Sequence, residues 1–212
     1  MAKPYGLLLV GLNYANAAED EFNDWYDTEH LPERARTQGF ISAQRWRGDS
    51  DPKLSVGAYD LESLDVLQTP AYMAIAGANL SPWSKRVVNQ CQRICRFEAE
   101  QTVPGSLAAP ADAGGLLLVA MNIPAAVESE FNAWYVDEHL PRLSKVPGCL
   151  SARRFVMAGG SHRYLATYHF STPAVQVSDA WKEAAETPWT AKMRPHFKDL
   201  LRLVLRRYVR NS

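Results

Sequence analysis

The sequence predicts an α+β protein in which two ferredoxin-like βαββαβ repeats form one intramolecular, pseudo-dimeric α+β barrel. Three observations predict it. The first is an internal repeat. Gly6-Leu7-Leu8-Leu9-Val10 returns as Gly115-Leu116-Leu117-Leu118-Val119, and the register then runs without a gap to Gly39, Ser42, Ala43 and Arg45, matched by Gly148, Ser151, Ala152 and Arg154. About half of the positions between Gly6 and Arg45 are identical to their counterparts. A repeating unit of roughly 100 residues is a duplicated domain rather than a solenoid of short units. The second observation is the element order within each copy, which is that of the split βαβ unit. The third is size. A copy this small buries a core inefficiently, and a sheet with both helices on one face leaves the other face to be covered. Two copies on one chain can cover each other.

Each element has its own signal. Tyr5–Asn13 is a short apolar run of buried-strand length, followed by a polar turn. From Ala17 to about Arg36 the pattern is helical, with Phe22, Trp25, Tyr26 and Glu29 on one side at i, i+3, i+4 and i+7. Gly39 follows as a stop. Phe40–Arg47 and Leu54–Leu61 read as strands around a polar turn at Asp49–Lys53. Helical pieces span Ser63–Val88, interrupted at Pro70 and Ser81-Pro82, and a last strand lies near Arg93–Gln101. The second copy repeats the plan: strand Gly115–Asn122, helix Ala126–Lys145, strands Cys149–Met157 and Tyr164–Phe170, helices around Val175–Glu186 and Trp189–Phe197, and a final strand at Arg202–Arg210. Thr187-Pro188-Trp189 echoes Ser81-Pro82-Trp83 after a small deletion, with Pro at a first helical position behind a capping hydroxyl. Val103–Gly114 is linker-like. The predicted organisation is therefore repeat 1 over residues 1–102, a linker over 103–114, and repeat 2 over 115–212.

Composition narrows the function. Hydrophobic residues make up 47% and charged residues 22%, an ordinary globular balance. Lys+Arg and Asp+Glu are equal at 23 each, so no global field recruits nucleic acid or an anionic membrane. Arg202, Arg206, Arg207 and Arg210 cluster at the C-terminus, as expected of a solvated edge strand guarded by charge. Cys91, Cys95 and Cys149 do not make a disulfide framework, which fits a reducing, cytoplasmic setting. Cys91 and Cys95 lack the further ligands that a metal site needs. The Gly6–Leu12 run is too short for a signal peptide, and nothing approaches a membrane span.

The chemistry-bearing constellation is Asn23-x-Trp25-Tyr26-x-x-Glu29-His30-Leu31-Pro32, with Asn132-x-Trp134-Tyr135-x-x-Glu138-His139-Leu140-Pro141 as its partner. Pro32 cannot donate to the carbonyl of Thr28, so it is expected to kink or end the helix there. Aromatics four residues earlier flank both members of the Glu-His pair. A His in a partly dry aromatic setting beside a carboxylate can act as a general acid or base near neutral pH. The same residues can instead satisfy backbone groups that Pro32 frees, with the aromatics as core. Arg45, Arg154, Tyr59 and Tyr168 are polar-tipped residues kept on predicted strands, able to bind an anion or enolate if they face a ligand. No phosphate loop, nucleophile elbow or zinc-helix motif occurs, which argues against a nucleotide-dependent enzyme or a serine hydrolase.

Through these motifs, followed by Gly39-Phe40-x-Ser42-Ala43-x-Arg45, the chain resembles the dimeric α+β-barrel superfamily, and within it the EthD-like proteins. The likeness covers both halves. It implies a small, often aromatic or lactone-like substrate in the barrel interior, handled by acid–base chemistry without a cofactor. The family's helix-end His falls on His30 and His139. The first functional expectation is thus a cofactor-independent lyase, isomerase, dehydratase or cyclase of small-molecule catabolism. In it His30 or His139 is the acid/base and Glu29 or Glu138 orients it. Tyr59, Tyr168, Arg45, Arg154, Asn23, Asn132, Tyr26, Tyr135, Trp25 and Trp134 shape the substrate site. The alternative is a non-catalytic small-molecule-binding or accessory protein. Both readings need no metal, nucleic acid or membrane, and both leave open further pairing of two chains.

Overall fold

The computed structural model describes residues 3–210. In the first half, β1 (Gly6–Asn13) leads through α1 (Glu19–Trp25), a π-turn (Tyr26–His30) and α2 (Leu31–Arg36) to β2 (Phe40–Gly48) and β3 (Leu54–Leu61). Short helices α3 (Pro70–Met73) and α4 (Pro82–Asn89) precede β4 (Gln92–Val103). The second half follows the same order. It comprises β5 (Gly115–Asn122), α5 (Glu128–Trp134), a π-turn (Tyr135–His139), α6 (Leu140–Leu143), β6 (Cys149–Met157), β7 (Tyr164–Phe170), α7 (Asp179–Ala185), α8 (Pro188–Met193) and β8 (Lys198–Arg207). The strand order β1-β3-β2-β8-β5-β7-β6-β4 is that of a closed barrel, the predicted α+β class. A closed order has no edge strands, so the arginines of β8 do not guard one, contrary to expectation.

Within the first half β1 lies between β3 and β4, antiparallel to both, and β2 pairs with β3. β5 pairs likewise with β7 and β8, and β6 with β7. Side chains alternate along β1. Leu8, Val10 and Leu12 pack with Phe22, Trp25, Tyr26, Leu31 and Val87 from the helices. Leu7 and Leu9 point to the other face, and both are also buried. Burial on two faces is why this strand reads as an unbroken apolar run. Seven-residue α1 is too short to be stable alone. Phe22 and Trp25, both fully buried, hold it at about 1.5–3 kcal/mol each.

Pro32 neither ends nor breaks the helix. The Leu31 N–H reaches back to the Tyr26 carbonyl, five residues earlier, and the helix continues to Arg36. The widened turn carries the helix past a residue with no N–H to donate, and the Leu140 N–H bonds to the Tyr135 carbonyl in the same way. The His30 carbonyl, at the end of the π-turn, accepts from Arg34 Nη1 at 3.1 Å. Gly39 then reverses the chain at φ +89, a left-handed conformation, and a Cβ there would stand 2.5 Å from Val66 Cγ2.

The chain divides into two compact units. One runs to Glu100 and includes residues from Tyr208 on; the other is Gln101–Arg207. The final strand, expected at Arg202–Arg210, starts and stops earlier, because Tyr208 leaves it to lie over Arg45. The linker-like stretch is pinned within the second unit. Gln101 exchanges two hydrogen bonds of 2.9 Å with the Leu107 backbone, and Arg207 Nε donates to the Ala113 carbonyl at 3.0 Å. Among the described residues no helix is long and apolar enough to cross a membrane.

Candidate active site

The π-turn fixes where His30 points. Its ring lies against Trp25, centroids 4.4 Å apart, and against Tyr26 at 5.0 Å. It opens into a cavity of about 670 Å³ whose strand side is Leu8, Val10, Leu12 and Tyr59. Those strand residues are the helix-facing ones. The site therefore lies between sheet and helices of the first unit, which corrects the expectation of a ligand in the barrel interior. A side chain carried by the helix can reach only that face. His30 Nδ1 is buried and has no hydrogen-bond partner. Burial, reinforced by the Arg34 and Arg45 charges, holds its pKa well below the ordinary 6.5, so the ring is neutral at physiological pH.

Tyr26 and Tyr59 complete the floor, their hydroxyls 3.3 Å apart. Gly57 makes that contact possible, because a Cβ there would run into the Tyr26 hydroxyl and stand 2.6 Å from that of Tyr59. Burial raises the pKa of both phenols, so they remain protonated donors. Arg34, Tyr72, Cys91, Arg93, Arg96 and Glu98 also line the space. Burial pushes the Cys91 thiol up to about 11, which makes it a poor nucleophile.

The remaining expected site residues sit elsewhere. Glu29 accepts from Ser81 Oγ at 2.5 Å and Ser84 Oγ at 2.9 Å, and Ser84 Oγ in turn accepts from Trp25 Nε1 at 2.9 Å. In the second half Glu138 accepts from Thr187 Oγ1 at 2.5 Å, and Trp134 Nε1 donates to Thr190 Oγ1 at 3.3 Å. The two carboxylates thus bind the caps of α4 and α8 rather than orient a histidine. Arg45 is buried and gives its three nitrogens to Ser55 (3.2 Å), Asp27 (2.8 Å) and Asn23 (2.6 Å), with its guanidinium over the Tyr26 and Tyr208 rings. Arg154 holds Asn132 at 2.6 Å and lies over Tyr135 and Tyr164. Neither arginine is among the lining residues. The substrate-binding role expected of Arg45, Arg154, Asn23 and Asn132 gives way to pinning the first helix of each half onto its sheet.

The second half builds the same floor but fills it. His139, Tyr135 and Tyr168 line a cavity of about 240 Å³. Tyr72 is replaced there by Trp181, Cys91 by Phe197, Arg34 by Leu143 and Glu98 by Val204, and the Gly77–Leu80 segment is cut short. Trp181 and Phe197 occupy part of the space. Burial, then the Arg194 charge, lowers the His139 pKa to about 3, and its Nδ1 is likewise unpartnered. Reading the repeat for identity misses Arg34, Tyr72, Arg93, Arg96 and Glu98. Arg34, Tyr72, Arg93 and Glu98 are found where the two copies differ, whereas Arg96 has a counterpart in Arg202 and lies beyond the stretch where the repeat is most evident. Among the described residues no three His, Cys, Asp or Glu side chains are grouped to hold a metal ion.

No family model and no curated protein matches the sequence. Solved structures do match over nearly the whole length. A candidate monooxygenase from Fusobacterium nucleatum aligns with TM-score 0.66 and 9% identity over 98% of this chain and 94% of its own. An anthrone oxidase-like protein aligns with TM-score 0.63 and 10% identity over 96% and 92%. A chlorite dismutase variant from Candidatus Nitrospira defluvii gives 0.62 and 9% over 97% and 90%. At such identities the likeness establishes the fold, that of the dimeric α+β-barrel proteins, and leaves function to the site.

Proposed function

We propose that the first half carries a cofactor-independent acid/base site acting on a small molecule, of lyase, isomerase, dehydratase or cyclase type. The observation that carries this reading is the neutral His30 ring in the wall of a large cavity, with a buried Nδ1 that has no hydrogen-bond partner, since orphaned buried polar atoms mark a missing partner. A neutral imidazole nitrogen takes a proton from an acidic C–H or O–H of the bound molecule. The imidazolium so formed stands near Arg34 and Arg45, which disfavour it and drive the proton back, to a different atom of the substrate or to a leaving hydroxyl. Of the hydrogen-bonded pair Tyr26 and Tyr59, the hydroxyl whose proton is not used between them donates to the oxygen on which charge develops. The repeated motif supports an EthD-like membership and an origin by tandem duplication, with the second site narrowed to a supporting role. Three free cysteines suit a cytoplasmic setting.

A second reading, binding without turnover, draws on the same depressed pKa, because a weak base abstracts only relatively acidic protons. Incubation of the protein with a small-molecule library in D₂O separates the two. His30-dependent incorporation of deuterium, read by mass spectrometry and lost in His30→Asn but not in His139→Asn, is the expected result. Ligands that stabilise the protein yet exchange no proton would establish the binding protein instead.

A further inference from the structure

The charge around the first cavity is one-sided. Arg34, Arg93 and Arg96 face it against a single carboxylate, Glu98, with His30 neutral. The three guanidiniums are not equivalent. Arg34 is buried, and donates to the carbonyls of His30 and Ile75 and to Glu33, so its hydrogen-bonding capacity is largely taken up by the scaffold. Arg96 is exposed and shares Glu98 Oε1 with its own Nε and Nη2, while Nη2 also reaches Tyr72 Oη at 3.3 Å. Arg93 is exposed and has no ion pair among the described residues.

The placement of Arg93 comes from the backbone. On β4 the register against β1 runs Val10↔Arg96 and Gly11↔Cys95, then shifts so that Leu12 faces Arg93. Ile94 is the extra residue of this bulge. Without it Arg93, three positions from Arg96, would turn to the opposite face of the sheet. The bulge instead brings both arginines to the cavity mouth, while Leu8, Val10, Leu12, Leu67 and Val88 line apolar walls. In the second half the positions of Arg93 and Glu98 hold Asp199 and Val204, so this charge pattern belongs to the larger cavity alone.

Resting on the small-molecule reading above, we infer that the first cavity takes the anion of an organic acid with an apolar, ring-sized body. Its charged end sits on Arg93 and Arg96 at the mouth, and its body extends towards His30, Tyr26 and Tyr59. A cavity of about 670 Å³ is of the size that holds such molecules. Arg93 supplies a guanidinium without a competing carboxylate, and Arg96 lies beside it with Tyr72 as a neutral donor. An uncharged ligand of the same shape would leave the Arg93 guanidinium without an anionic partner, Arg96 being held by Glu98.

Calorimetric titration of the whole protein with three acid–amide pairs tests this: benzoate and benzamide, 2-naphthoate and 2-naphthamide, and anthracene-2-carboxylate and its amide. At least one acid should bind about tenfold or more tightly than its amide, as a charge-assisted hydrogen bond predicts. The preference should shrink at high ionic strength and disappear in Arg93→Gln combined with Arg96→Gln. Cys91→Phe, which copies the second half, should block binding of acid and amide together. Equal affinities that Cys91→Phe abolishes would overturn the anion preference and leave the small-molecule site standing. An acid preference that survives both the arginine and the Cys91 substitutions would place binding elsewhere and overturn the inference. Failure of all six compounds to bind would overturn it too, with deuterium exchange then deciding the reading on which it rests.

Discussion

The Glu29 carboxylate accepts the Ser81 hydroxyl at 2.5 Å, across 52 residues of chain. This bond ties the π-turn to the N-cap of α4, since Ser81 Oγ also accepts the Ser84 N–H at 2.9 Å. Ser84 Oγ adds a second bond to Glu29 and receives the indole of Trp25. Two helices that would otherwise meet through apolar contacts alone are locked in one orientation, and His30, next to Glu29, is positioned as a consequence.

Glu29→Ala should therefore cost about 1–3 kcal/mol of stability, measured by urea denaturation, because two buried or half-buried hydroxyls lose their acceptor. Ligand affinity in the first cavity should change little at temperatures where the variant is folded. If Glu29 instead oriented His30 directly, affinity or proton exchange would fall while stability held. That pattern would return Glu29 to the role its sequence position first suggested.

Arg45 offers a second comparison between the halves. Its ion pair with Asp27 is 2.8 Å long and its side chain is almost fully buried. Removal of one partner from such a pair costs about 3–5 kcal/mol, so Arg45→Ala should destabilise the protein severely. The counterpart of Asp27 in the second half is Val136, and the bond of Arg154 to Asn132 is to a neutral amide. Arg154→Ala should cost less. Equal losses in denaturant titrations of the two variants would mean that the Asp27 charge contributes nothing to this half.

Much of this architecture was legible in the chain. Period and repeat were enough to place β1, the first helix, β2 and β3, because Phe22, Trp25 and Leu8 answer to burial, which leaves an apolar pattern. The π-turn was not legible. Pro32 marks a missing donor, but whether the helix stops or widens depends on packing of Trp25 and Tyr26 beneath it. The site was half legible. His30, Tyr26 and Tyr59 stand in both copies and point to a shared floor. Arg34 and Arg93 stand in one copy only, and Arg93 reaches the cavity through a bulge at Ile94 that side-chain pattern does not announce. Arg45 departs from expectation because a buried guanidinium and a ligand-binding one look alike in sequence, and only its bonds to Ser55, Asp27 and Asn23 tell them apart.

The difference between the cavities can be transferred by one residue. Cys91 lines the first cavity where Phe197 lines the second. Cys91→Phe places a ring in existing space, so it should leave stability within about 1–3 kcal/mol of the parent, the cost of modest overpacking. Ligand-induced stabilisation should vanish in a thermal-shift assay. Phe197→Cys in the second half should open room beside His139 without conferring binding, because Leu143 and Val204 still stand where Arg34 and Glu98 do. A ligand response gained by Phe197→Cys alone would show that volume, rather than the charged rim, decides which half works.

The buried histidines make stability depend on pH in a definite direction. His139 has its pKa lowered to about 3 in the folded protein, against 6.5 when exposed. The unfolded chain therefore takes up a proton that the folded one refuses once the pH falls below 6.5. Stability is full above that value and is lost progressively as the pH drops towards 3, by about 2 kcal/mol at pH 5 from His139 alone. His30 and His169, both held well below 6.5 by burial, add to the loss in the same direction. Urea midpoints compared at pH 8 and pH 5 should fall steeply for the parent and less steeply for His139→Asn, which removes one of the protons. Proton exchange by His30 should meanwhile show no inflection near 6.5, since its ring stays neutral through that range. A histidine resonance assigned to His30 that titrates near 6.5 in the folded protein would mean that the ring is solvated and not held in the cavity wall, and the acid/base assignment would have to move to another group.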